Sequence, residues 1–170
     1  MTPAKSALLA AVASFVTLVA GGCSSGAPAP SASPTSSVSE NVSIRSLGAR
    51  YLAIAEPANH RLDVEVDAYA DNARHNLDAA ERALRAEAAT EHNFDRQLAA
   101  ISFPPAIEST ARALIRINEI RVRLTLKQAA AHSIPALLSF TATHNAADAE
   151  LEAQVRFIRS ELGLPPPETS

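Results

Sequence analysis

Apolar residues recur every three or four positions from about Val42 to Leu162, the spacing of helices that each bury one face. A first stripe holds Leu47, Tyr51, Ile54, Ala58, Leu62 and Tyr69, with Val66 beside it. Pro57 interrupts this run. It removes one backbone donor and crowds the carbonyl of Ala53, so the first helix is expected to kink there. A second stripe holds Leu77, Ala80, Leu84, Ala88, Phe94, Leu98 and Ile101, with Asp71 or Asn72 as the expected cap. Ser102-Phe103-Pro104-Pro105 ends it. Pro105 suits the first turn of the helix that follows, and Glu108 suits the positive end of its dipole.

The third stripe holds Ile107, Ala111, Leu114, Asn118, Val122, Thr125 and Ala129, widened by Ile117, Ile120 and Leu124. The fourth starts at Ser133 or Ile134, with Pro135 in its first turn, and holds Leu137, Thr141, His144, Asp148, Leu151, Val155, Ile158 and Leu162. Gly163 then supplies a left-handed stop, Leu164 can fold back on Ile158, and Pro165 forbids continuation. Four long helices with short connections predict an all-α, antiparallel up-down four-helix bundle over residues 42–164, kinked at Pro57, with a short tail at 165–170.

The chain ahead of the bundle has a different texture. Met1 to Lys5 carries one positive side chain, and Ala7 to Ala20 is a largely apolar run without charge. That run is short for a membrane-spanning helix, which needs about 20 residues, and suits the apolar region of an export signal. Val19-Ala20-Gly21-Gly22-Cys23 follows, with small residues leading to a cysteine, as in a bacterial lipobox, although Ala20 stands where leucine is commonest. The reading is a lipoprotein signal peptide at 1–22, acylation of Cys23, and a flexible linker rich in Ser, Pro and Ala at 23–41. The part of that linker from Ser24 to Ser39 is uncharged and has almost nothing to bury, so it is expected to be disordered.

Composition sharpens this picture in three places. Aromatic residues make up 4% and tryptophan is absent, so the core must be built from Ala, Leu, Ile and Val, which favours close helix packing over a sandwich of sheets. Cys23 is the single cysteine, which excludes an internal disulfide and a thiolate metal cluster; acylation would consume its thiol. The net charge of −3 becomes −4 once Lys5 leaves with the signal, too mild to point to nucleic acid or to strong membrane attraction.

Tyr51-Leu52-Ala53-Ile54-Ala55-Glu56-Pro57-Ala58-Asn59, with Leu62 following, resembles the opening of a group of uncharacterised actinobacterial lipoproteins. The closing run from Val155 to Pro167, with Glu161-Leu162-Gly163-Leu164-Pro165, resembles the C-terminus of that group. Where such proteins often carry Trp-Pro between the second and third helices, this chain has Phe103-Pro104. The resemblance implies a membrane-anchored helical protein outside the cytoplasm. It carries over no catalytic residue.

Candidate chemistry is sparse. His144 and Asp148 are one helical turn apart on the inward stripe, and Asn118 lies on the stripe of the third helix. They suggest either a polar layer that fixes helix register or a small pocket, with His144 as a haem or metal ligand oriented by Asp148. His60, His75, His92 and His132 read as surface residues. Arg112, Arg116, Arg123 and Lys127 share one side of the third helix, with Arg121 nearby and Glu119 interrupting. They read either as a solvated face with a Glu119–Arg123 pair or as a surface for anionic lipid or an acidic partner. Within the body, residues 42–164, no Gly-x-Ser-x-Gly, Walker loop, His-Glu-x-x-His or Glu-x-x-His occurs.

The expectation is therefore a non-enzymatic lipoprotein, held by Cys23 at the extracytoplasmic face of the cell membrane. It would need no cofactor and would meet another envelope component rather than nucleic acid. A carrier of haem, metal or lipid at Asn118, His144 and Asp148 is the alternative.

Overall fold

The computed structural model describes residues 35–167, with side chains from Ser43 onward. The expected signal peptide, Cys23 and the linker as far as Pro34 lie outside those residues, as does the end of the tail from Glu168. The described chain is all-α. Four long helices, α1 (Thr35–Asn72), α2 (Leu77–Ala99), α3 (Pro105–Gln128) and α5 (Thr141–Glu161), pack together, and a short α4 (Ile134–Leu138) lies between the last two. None of them is long and apolar enough to cross a membrane.

The boundaries differ from the periodicity in three places. The helix α1 starts at Thr35, inside the segment expected to be linker; with no apolar residue before Val38, periodicity had nothing to register there. As expected, it continues through Pro57 as one helix; the ring lies on the exposed face, where the carbonyl it leaves without a partner can be hydrated.

The cap of α2 is Asn76, not Asp71 or Asn72. Its side chain accepts from the Ala79 amide at 3.1 Å, whereas Asn72 donates back to the Ala68 carbonyl at 2.7 Å and closes α1. The fourth stripe is divided between α4 and α5. The Ser139 hydroxyl donates to the Ala136 carbonyl at 2.7 Å and the Thr141 hydroxyl to the Leu138 carbonyl at 2.9 Å. Both take up acceptors at the end of α4, which makes room for a turn.

Other signals act as expected. Pro105 opens α3, and Ser133 caps α4 by accepting from the Ala136 amide at 3.3 Å. Gly163 has φ +65°, and beyond it the Leu164 amide returns to the Arg159 carbonyl at 2.8 Å. Leu164 then packs into the core. Gly48 of α1 sits directly against Leu162 and Leu164: a Cβ there would lie 3.3 Å from the Leu162 carbonyl oxygen, so glycine lets the start of α1 approach the end of α5.

The interior has two apolar parts. The larger one gathers Tyr51, Ala58 and Leu62 of α1, Phe94 and Leu98 of α2, Ile107 and Leu114 of α3, and Leu151, Val155 and Ile158 of α5. The Tyr51 and Phe94 rings meet edge to face with centroids 6.3 Å apart. The smaller part holds Ala80 and Leu84 of α2, Ala129 and Ala131 after α3, and Leu137 of α4. A belt of polar side chains separates them. Leu151 has no exposed surface, so Leu151→Ala is expected to cost about 2–5 kcal/mol in denaturant unfolding. A loss under about 0.5 kcal/mol would mean that α5 does not present that face inward.

Candidate functional site

The belt arises because the seven-residue step that carries each seam through apolar residues lands on polar ones at one level of all four long helices. In α1 the step from Tyr51 and Ala58 reaches Glu65. In α2, Ala80 and Phe94 flank Glu87, and Leu84 and Leu98 flank Glu91. In α3 the series Ile107, Leu114, Arg121, Gln128 runs beside Ala111, Asn118, Thr125. In α5, His144 precedes Leu151 and Ile158, and Asp148 precedes Val155 and Leu162. Because these positions are in register, their side chains meet in the interior.

Arg121 is the hub. Its side chain is 4% exposed and reaches carboxylates on two other helices. Nη2 bonds Glu87 Oε1 at 2.9 Å, Nη1 bonds Glu91 Oε1, and Nε donates to Asp148 Oδ1 at 2.6 Å. One guanidinium thus ties α3 to α2 and to α5. Asn118, one turn before it, donates to Asp95 Oδ1 at 3.0 Å and to the Glu91 carbonyl at 3.5 Å. On the α1 side, the Thr90 hydroxyl donates to Glu65 Oε1 at 2.8 Å. Towards the smaller core, Gln128 Nε2 donates to the Tyr69 hydroxyl at 2.9 Å and the Leu137 carbonyl at 3.0 Å.

Glu87, Glu91 and Asp148 converge on the Arg121 guanidinium, while Glu65 is held by Thr90 and Asp95 by Asn118. Burial pushes the Asp95 carboxyl up to about 7; the hydrogen bond from Asn118 opposes the rise and the nearby charge of Glu119 assists it. Burial also raises Glu87, against the pull of Arg121, and raises Glu65, against the bond from Thr90. Arg121 stays charged: burial disfavours its cation, but Glu87 and Asp148 more than compensate. Asp95 Oδ2 and Asn118 Oδ1 are buried without a hydrogen-bond partner. A proton on the Asp95 carboxyl would make one of these acceptors a donor.

The expected site residues are thus arranged differently from a pocket. Asn118 is 2% exposed and held by Asp95 and Glu91. Asp148 faces Arg121. His144 is half-buried, with Nε2 unpartnered; burial and then the Arg121 charge lower its pKa, against the pull of Asp148, so it is neutral at pH 7. Among the described residues, no group of three His, Cys, Asp or Glu side chains could hold a metal ion. His60, His75, His92 and His132 are all exposed.

No family profile, no curated protein and no solved structure matches the chain. The site is therefore read on its own geometry.

Sequence reasoning missed Arg121, Glu87, Glu91 and Asp95. Arg121 was grouped with the basic side of α3, whereas it lies on the buried face, beside Val122 and Thr125. The signal that would have found it is the seven-residue step from Ile107 through Leu114. Glu108, not Glu119, supplies the acidic partner on the outer face, where it holds Arg112.

Proposed function

We propose that the chain is a lipoprotein, acylated at Cys23, whose helical body stands outside the cytoplasmic membrane as a non-enzymatic interaction module of the cell envelope. The observation that carries this reading is the order of residues before the bundle: an apolar run too short to span a bilayer, small residues, then the single cysteine. The resemblance to actinobacterial lipoproteins at both ends of the body supports it. The belt supports the non-enzymatic part, because its cation is engaged by three carboxylates and its amide by a fourth.

The proposal includes an antiparallel up-down order with α1 bent at Pro57. Favouring that order, Tyr51 meets Phe94 while Glu65, farther along α1, meets Thr90, earlier in α2; likewise Asp95 pairs with Asn118 and Glu87 with Arg121.

The test is labelling in the host with an alkyne-bearing palmitate, followed by fractionation. The parent chain is expected in the membrane fraction carrying label. Cys23→Ala is expected to lose the label. Label retained by Cys23→Ala would reject the assignment.

The unpartnered Nε2 of His144 favours a second reading, a carrier that takes haem or a metal at that nitrogen. Its prediction is a spectral or thermal shift on titration with haem or divalent metals that His144→Ala abolishes. The absence of any shift would remove it.

A further inference from the structure

The charge of the bundle is distributed unevenly, and the imbalance sits on one helix. Five basic and two acidic residues give α3 a net +3. By contrast, α1 has three basic and six acidic residues, net −3; α2 has three and five, net −2; and α5 has two and four, net −2.

The cations that face outward from α3 are aligned. At 3.6 residues per turn, Arg112, Arg116, Ile120, Arg123 and Lys127 fall within an arc of about 80° and extend ~22 Å along the axis. All five side chains are exposed, and the arc lies opposite the buried row of Ile107, Leu114, Asn118 and Thr125. Glu108 engages Arg112, but among the described residues no ion pair holds Arg116, Arg123 or Lys127. Ile120, in the middle of the row, is 55% exposed. A linear array of unpaired cations around an exposed aliphatic residue, on an otherwise acidic body, fits a flat anionic surface with an apolar layer beneath.

We propose that the outward stripe of α3 is a docking surface for an anionic lipid bilayer, with Arg116, Arg123 and Lys127 meeting the phosphates and Ile120 the interface. The inference deepens the lipoprotein reading and rests on it for the bilayer being at hand: only eleven residues lie between Cys23 and Thr35. At ~3 Å per residue the start of α1 stays within about 40 Å of the anchor. An acidic protein would suit the cations equally, but the short connection to Cys23 makes the bilayer the anionic surface already at hand.

The test uses the mature chain from residue 23 with Cys23→Ala, so that no acyl group contributes. It is floated with vesicles of phosphatidylcholine alone or mixed equally with phosphatidylglycerol. Binding is expected on the anionic vesicles only, and high salt should abolish it. Each neutralised cation should weaken binding about fivefold, so the triple variant Arg116→Gln, Arg123→Gln, Lys127→Gln should lose on the order of a hundredfold. The corresponding variant with lysine at Arg116 and Arg123 should keep it, and circular dichroism checks that both variants fold.

Failure to bind anionic vesicles, equal binding to both vesicles, or unchanged binding by the triple glutamine variant would overturn the proposal. Capture by polyaspartate, but not by vesicles, through the same three residues would assign the stripe to an acidic protein instead. Because no acyl chain is present, these outcomes are independent of whether Cys23 is acylated in cells.

Discussion

Arg121→Met is expected to destabilise the bundle by about 3–5 kcal/mol at neutral pH, because it removes one partner of a buried ion-pair cluster. Methionine fills much the same volume, so the loss is electrostatic rather than a cavity. It would leave Glu87, Glu91 and Asp148 facing one another without their common cation. Denaturant unfolding followed by circular dichroism measures it. Arg123→Met, on the exposed stripe two residues away, should change stability by less than about 0.5 kcal/mol. Adding Glu87→Gln and Glu91→Gln to Arg121→Met should recover part of the loss, because neutral side chains no longer need the guanidinium. An Arg121→Met protein as stable as the parent would mean that these contacts do not hold the helices together.

Asp95→Asn is expected to act in the opposite direction and to depend on pH. The folded Asp95 carboxyl titrates at about 7, against 3.8 for an unperturbed group. The folded state thus binds this proton more tightly than the unfolded chain. The associated stability is complete below pH 4, falls as pH rises towards 7, and is absent above it. A shift of about three units corresponds to ~4 kcal/mol across that window, as an upper figure.

Asparagine keeps an acceptor for Asn118 and cannot ionise. Asp95→Asn should therefore match the parent near pH 4 and exceed it by up to a few kcal/mol at pH 8. Glu65 and Glu87, also raised, add slope of the same sign. His144, lowered, adds the reverse: its contribution is present above the ordinary histidine range and is lost as pH falls through its folded value. The difference between variant and parent isolates Asp95. Parallel pH profiles for the two proteins would refute the assignment.

Much of the body was legible because its signals are local. Gly163 and Pro165 mark a helix end wherever they occur in that order, and Pro105 marks a start; the structure uses all three. The apolar stripes gave the buried faces, including Tyr51, Leu98, Leu114 and Leu151, because burial of aliphatic surface needs no partner of a particular kind.

The belt was only half legible. His144, Asp148 and Asn118 were noticed because a polar residue stands out on an apolar stripe. Glu87, Glu91 and Arg121 also lie on the seams but look like ordinary surface residues of a charged helix, and only their common level across α2, α3 and α5 makes their burial tolerable. That condition is tertiary: Glu91 can be 1% exposed because Arg121, 30 positions on, reaches it. The break between α4 and α5 was hidden for a related reason, since Ser139 and Thr141 fit a helix and the turn depends on where their hydroxyls bond.

Two outward features remain once the interior is accounted for, the cationic row of α3 and the proposed attachment at Cys23. The polar groups inside hold one another and, in this account, serve the packing of the bundle; contact with the envelope is left to the outside of the molecule and to the residues ahead of Thr35. The most direct test is the mass of the N-terminal peptide of the protein purified from its native host in detergent. The account predicts a chain that begins at Cys23, without residues 1–22, and carries a diacylglyceryl group on the sulfur. A chain that begins elsewhere, or one whose Cys23 bears a free thiol, would contradict it.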